Sequence, residues 1–235
     1  MFSILRKSLL CLVFSLCYIS FCTPVFATSF STGGVRINKK IKPMRDIKHE
    51  NVVSQSMDVS CGPAGLSTLL NFYLQDPTTE IEIINSLLNQ VPLEKVRERK
   101  GFTLLDLKNF AKAKGYDVTG YKDMDIEFLR EIKRPVLVPI SFKNFSHFVI
   151  VKGVIADRIF IADPTAGNMS MKTSKFEKIW TKGIGLVVEK PNHNENTEYA
   201  LQVNTEDLLI SDYKRLRQLI DKGAIRTAIY PSEWK

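Results

Sequence analysis

The sequence predicts an α+β fold, in which helices from the first half pack on an antiparallel sheet built from the second. Three observations carry this. Apolar residues recur at steps of three and four between Leu66 and Leu129, the spacing of helices that bury one face. After Pro135 the pattern changes to short apolar, β-branched runs, such as 136–140 and 147–154, which read as strands. Tight turns join these strands where parallel βαβ units would need long crossovers, so antiparallel pairing follows.

Residues 1–27 form a separate unit. Arg6 and Lys7 precede an uncharged apolar stretch that ends in Val25-Phe26-Ala27, with small residues at the positions a signal peptidase reads. The stretch is also long enough to span a bilayer as a retained anchor. The cleavage pattern favours removal, and a periplasmic or secreted location is expected. Cys11, Cys17 and Cys22 lie within this unit. A chain cut after Ala27 therefore carries Cys61 alone and has no internal disulfide.

Residues 28–43 read as a basic N-terminal arm containing Gly33-Gly34, a candidate self-cleavage site, and residues 44–190 as the main domain. Its first long helix begins at Cys61. In CGPAGLSTLL, Gly-Pro follows the cysteine, and proline fits the first helical turn because the amides there have no intrahelical partner to lose. Leu66, Leu69, Leu70 and Tyr73 give the buried face. Asp76-Pro77 ends the helix, and Ile83, Ile84 and Leu87 mark a second with Glu80 and Glu82 in its first turn. Residues 91–100 are short, charged and helical. Thr103 is a candidate N-cap for a further helix, with Asp106 three positions on. Lys114-Gly115 ends that helix, 116–121 alternates as a strand, and 126–132 is a short helix stopped by Pro135.

The strands 136–140, 147–154 and 158–162 follow, the last two joined by a turn at Ala156-Asp157. A short strand over 168–172, a small helix over 173–180 and a final strand over 185–189 complete the domain. Residues 191–204 are polar and read as a linker. In the tail, residues 205–235, Leu209, Tyr213, Leu216 and Ile220 place one apolar stripe on a helix over 205–222. That helix is expected to pack on its own domain; the alternative is peripheral contact with a membrane or partner.

The candidate chemistry gathers on four residues. A cysteine at a helix start faces unpaired amides and the positive end of the helix dipole, which favour a thiolate nucleophile. Gln55 stands six positions earlier, close enough to offer its amide to an oxyanion formed above that sulfur. Of the three histidines, His49 lies in a basic stretch and His193 in the polar linker, whereas His147 begins an apolar strand. The turn at Ala156-Asp157 folds Asp163 back toward His147, where a carboxylate can fix the imidazole tautomer and support the imidazolium.

The formal charge of +8 among 235 residues comes without the basic-aromatic platforms or finger spacings of nucleic-acid readers, so solvated lysines explain it. No cofactor and no metal is called for.

The order Gln, Cys, His, Asp resembles the papain superfamily. More closely, the stretches RDIKHENVVSQSMDVSCGPAGLSTLL, GFTLLDLKNFAKAKGY, SHFVIVKGV and DRIFIADPTAGN are similar to the bacteriocin-processing, or double-glycine, cysteine peptidases, over residues 44–189. The resemblance implies a papain-like architecture with Cys61 as nucleophile, His147 as general base and acid, Asp163 as its orienter and Gln55 as oxyanion donor. It also implies a polypeptide substrate cut after glycine. Members of the family are usually fused to export transporters and act on the cytoplasmic side. The signal here resembles that of exported stand-alone members, accessory peptidases of systems that secrete fibres, including functional amyloid. The expected partner is thus a secreted fibre subunit or secretion-system component. Two other classes share parts of this pattern: a non-cleaving binding module or chaperone, whose relatives typically lack the cysteine, and a wall-directed amidase or acyl transferase, which the helix-start cysteine alone permits.

Overall fold

The computed structural model describes residues 30–32, 35–37, 42–142, 145–191, 199–204 and 207–208. The signal segment, Gly33-Gly34, His193 and most of the tail helix lie outside them. Two compact units are present, one within the first 43 residues and one from Met44 onward. In the first, β1 (Phe30–Thr32) pairs antiparallel with β2 (Val35–Ile37).

The second unit contains α1 (Met44–Lys48), α2 (Cys61–Phe72), α3 (Glu80–Leu88), α4 (Leu93–Arg99), α5 (Leu104–Ala113), β3 (Asp117–Tyr121) and α6 (Ile126–Glu131). There follow β4 (Val136–Phe142), β5 (Phe145–Ile155), β6 (Arg158–Asp163), β7 (Gly167–Lys172), α7 (Thr173–Phe176) and β8 (Gly185–Glu189). The sheet has the order β3-β8-β4-β5-β6-β7, with every neighbouring pair antiparallel.

Side-chain alternation assigns the two faces of this sheet. Leu137, Ile150, Leu186 and Val188 point into one core with Leu66, Leu69 and Leu70 of α2, Ile83 and Leu87 of α3, and Leu107 and Phe110 of α5. Val136, Val138, Val149, Val151, Ile159 and Ile161 point into a second core, closed by Ile126 and Leu129 of α6, Phe176 of α7, and Trp180. The second core explains why the strands read as nearly continuous apolar runs, since both of their faces are buried.

Helix α2 lies tight against this framework. A Cβ on Gly65 would stand 2.9 Å from Leu137 Cδ1, and one on Gly62 would stand 3.0 Å from Leu107 Cδ1 and 3.3 Å from Phe148 Cδ2. The absence of side chains at 62 and 65 thus sets how closely the start of α2 approaches β4, β5 and α5.

Helix α5 begins as expected. Thr103 accepts from the Asp106 amide at 3.2 Å while its own amide donates to the Asp106 carboxylate at 2.8 Å, a reciprocal cap. Thr103→Ala should lower stability by about 1 kcal/mol, read as a reduced urea midpoint with unchanged slope.

Residues 199–204 depart from the linker reading. Leu201 is fully buried in the first core, its amide donates to the Phe72 carbonyl at 3.2 Å, and Tyr199 stacks edge-on against Tyr73 with centroids 4.6 Å apart. Beyond them Asp207 pairs with Lys152 of β5, both buried. The polarity of 191–198 concealed two anchoring side chains, Tyr199 and Leu201.

Candidate active site

Cys61 is the first residue of α2 and is 8% exposed. Ser60 caps the helix by position without covering its amides: the Ser60 hydroxyl donates to the Met57 carbonyl at 2.8 Å and accepts from the Met57 amide at 3.1 Å. The first-turn amides of α2 therefore keep their positive field beside the sulfur.

His147 is the third residue of β5, which starts at Phe145, and it pairs with Ile140 of β4. On its other side the pairing of β5 with β6 ends at Ile150–Ala162. The two strands part there, and His147 and Asp163 face each other across the opening. His147 Nε2 lies 2.8 Å from Asp163 Oδ1, with both side chains nearly buried. Cys61 is close enough to the imidazole to act on its protonation. Burial alone would lower the His147 pKa, but the hydrogen bonds and charges of Asp163 and Cys61 outweigh it and push the pKa up to about 9. Burial likewise works against the Asp163 carboxylate; His147 and the Thr165 and Ala166 amides, at 2.7 and 3.2 Å, outweigh it and hold its pKa below the usual value.

The turn after β6 is fixed from outside. Gly167 has φ +75°, and a Cβ there would overlap the Lys48 carbonyl. Gln55 joins the same turn: its amide donates to the Pro164 carbonyl at 3.0 Å and its Oε1 accepts from the Thr165 hydroxyl at 2.9 Å. Gln55 Nε2 donates to the Met57 carbonyl at 3.0 Å.

All four sequence-selected residues thus belong to one local assembly, formed by the start of α2, the loop before it and the open ends of β5 and β6. His49, the other described histidine, instead meets the Ser54 hydroxyl through Nδ1 at 3.1 Å. Two further residues belong to this assembly. Glu80, taken as a first-turn helix acid, accepts from the Ser56 amide at 3.0 Å and so anchors the Gln55 loop; Thr165 holds the Gln55 side chain. Neither left a sequence signal, because partners 24 and 110 positions apart share no periodicity. The arrangement can form a thiolate–imidazolium pair, with the carboxylate behind the ring and amide donors at the sulfur.

The model of the peptidase C39 family matches residues 49–193. The chain belongs to the peptidase C39 family. The match covers Gln55, Cys61, His147 and Asp163, and the family's activity makes this chain a cysteine peptidase. Similar proteins include "Probable functional amyloid protease FapD" of Pseudomonas fluorescens, 31% identical over 176 residues that span 75% of this chain and 76% of the relative. The protein of the same name from Pseudomonas aeruginosa is 28% identical over 66% of this chain and 68% of its own length. Among solved structures, the peptidase domain of Streptococcus ComA, a bi-functional ABC transporter involved in quorum sensing, superposes with a TM-score of 0.52 at 20% identity. It covers 61% of this chain and 100% of that domain, a likeness of fold. The α+β, papain-like architecture expected from the sequence is thereby established.

Proposed function

We propose that this C39 peptidase is exported and cleaves a secreted, fibre-forming polypeptide after glycine. The observation that carries the chemistry is the placement of His147 between the Asp163 carboxylate, 2.8 Å from Nε2, and Cys61, which acts on the protonation of the ring. The Cys61 sulfur attacks the scissile carbonyl carbon, the C–S bond forms, and the carbonyl electron pair moves onto oxygen. Gln55 Nε2–H and the Cys61 amide, which has no intrahelical acceptor at the helix start, donate to that oxyanion. His147 gives its proton to the leaving nitrogen as the C–N bond breaks, leaving a thioester. Water then attacks, His147 takes its proton, and the C–S bond breaks to release the new C-terminal carboxylate.

The exported setting is supported by the signal-like segment 1–27. The fibre-forming substrate is supported by the names of the Pseudomonas relatives. The glycine preference rests on the resemblance to double-glycine peptidases.

The test compares the exported proteins of wild-type and Cys61→Ala cells by terminal mass spectrometry. One exported protein should lose a C-terminus ending in glycine, and its uncut form should accumulate in the variant. Identical termini in both strains would overturn the proposal.

A further inference from the structure

We infer that Thr165 is a positioning residue that sets which atom of the Gln55 amide faces the reacting carbonyl. The inference rests on the reading of Gln55 as oxyanion donor. A glutamine amide presents either an oxygen or an NH2 in nearly the same volume. An oxygen aimed at a developing oxyanion would repel it, so the choice between the two orientations decides whether Gln55 helps or hinders.

Two contacts make that choice. The Met57 carbonyl can only accept, so the Gln55 atom 3.0 Å from it must be Nε2. The other atom is then Oε1, and the Thr165 hydroxyl 2.9 Å away must donate to it. An amide nitrogen has two hydrogens. Met57 takes one, and the second is left for the oxyanion.

The Thr165 backbone does separate work, donating to Asp163 Oδ1 at 2.7 Å, while Gln55 N donates to the Pro164 carbonyl at 3.0 Å. The 163–166 turn therefore connects the carboxylate behind His147 to the Gln55 side chain. Removing the hydroxyl alone takes away the donor to Oε1, so that only the Met57 carbonyl holds the amide in this orientation, and leaves the backbone contact with Asp163 in place. Thr165 is exposed, so valine, its near-isostere, fits without repacking a core.

The test separates oxyanion stabilisation from thiolate reactivity with two small reagents that need no peptide recognition. Acylation of Cys61 by p-nitrophenyl acetate passes through a tetrahedral oxyanion; alkylation by iodoacetamide is a displacement at carbon and does not. Thr165→Val should slow acylation about tenfold, a fraction of the 10²–10³ typical for removing an oxyanion donor outright. Thr165→Ser should restore the rate, and Thr165→Val should add nothing further in a Gln55→Ala background. Alkylation, and its dependence on pH, should be the same in all of these variants.

Unchanged acylation in Thr165→Val beside slowed acylation in Gln55→Ala would overturn the inference and leave the oxyanion reading standing. Unchanged acylation in Gln55→Ala would overturn that reading itself. A loss that is fully additive with Gln55→Ala, or slowed alkylation in Thr165→Val, would place the effect of Thr165 on the thiolate and overturn the inference.

Discussion

Replacing His147 by alanine is expected to slow peptide hydrolysis by about 10³-fold or more. The ring is hydrogen-bonded to Asp163 and acts on Cys61, so its loss removes the proton acceptor that stabilises the thiolate and the acid that protonates the leaving amine. Comparing kcat/KM for wild type and His147→Ala checks this; a variant within tenfold of wild type would contradict it. The wild-type rate should also depend on pH in a defined direction. His147 holds its proton up to about 9, so activity should fall as pH rises through that value. Asp163→Asn removes the charge behind the ring and should move this fall to lower pH.

The same residues link folding to pH. The His147 pKa is raised from 6.5 to about 9 on folding, so its stabilising contribution is complete below 6.5 and lost as pH rises through about 9. The Asp163 pKa is lowered from 3.8, so its contribution is present above that value and lost as pH falls below it. Stability drawn from this pair should therefore be greatest in mildly acidic solution.

Asp207→Ala is expected to lower stability by roughly 3–5 kcal/mol, the usual consequence of leaving one member of a buried ion pair alone. Lys152 and Asp207 are each 3% exposed at the side chain. Burial already holds the Lys152 pKa below its ordinary value against the attraction of Asp207, so loss of the carboxylate leaves an ammonium with much less compensation. Asp207 also accepts from the Asn204 amide at 3.0 Å while its own amide donates to Asn204 Oδ1 at 2.9 Å, so the start of the tail would loosen too. Urea unfolding measures the change. A Lys152→Met, Asp207→Leu double variant should recover most of it, because matched apolar groups can replace a buried pair. Equal losses in the single and double variants would contradict this account. These anchors lie beyond residue 193, where the C39 match ends.

Much of the site was legible from local chemistry. Cys61 announced itself by the Gly-Pro that follows it, Thr103 by Asp106 three positions on, and Asp163 by the turn that folds its strand back beside that of His147. The turn did not give the full geometry. Antiparallel register would set Asp163 opposite Val149, and it reaches His147 because β5 and β6 stop pairing after Ile150–Ala162. Tyr199 and Leu201 were hidden for a different reason: two apolar residues beside a polar run show no period, and what they bury against lies on α2, more than a hundred positions away.

By itself the sequence determined the succession of helices and strands from Cys61 to Glu189 and the identity of the four candidate reacting groups. These follow from spacing, proline and glycine placement, and the chemistry of single side chains, all of which act over a few residues. Tertiary structure decided which groups hold the Gln55 loop, Glu80 on the Ser56 amide and Thr165 on Gln55, and which carboxylate meets Lys152, that of Asp207. Hydrogen bonds and ion pairs between distant segments depend on where the folded chain brings their ends, and no local pattern encodes that meeting.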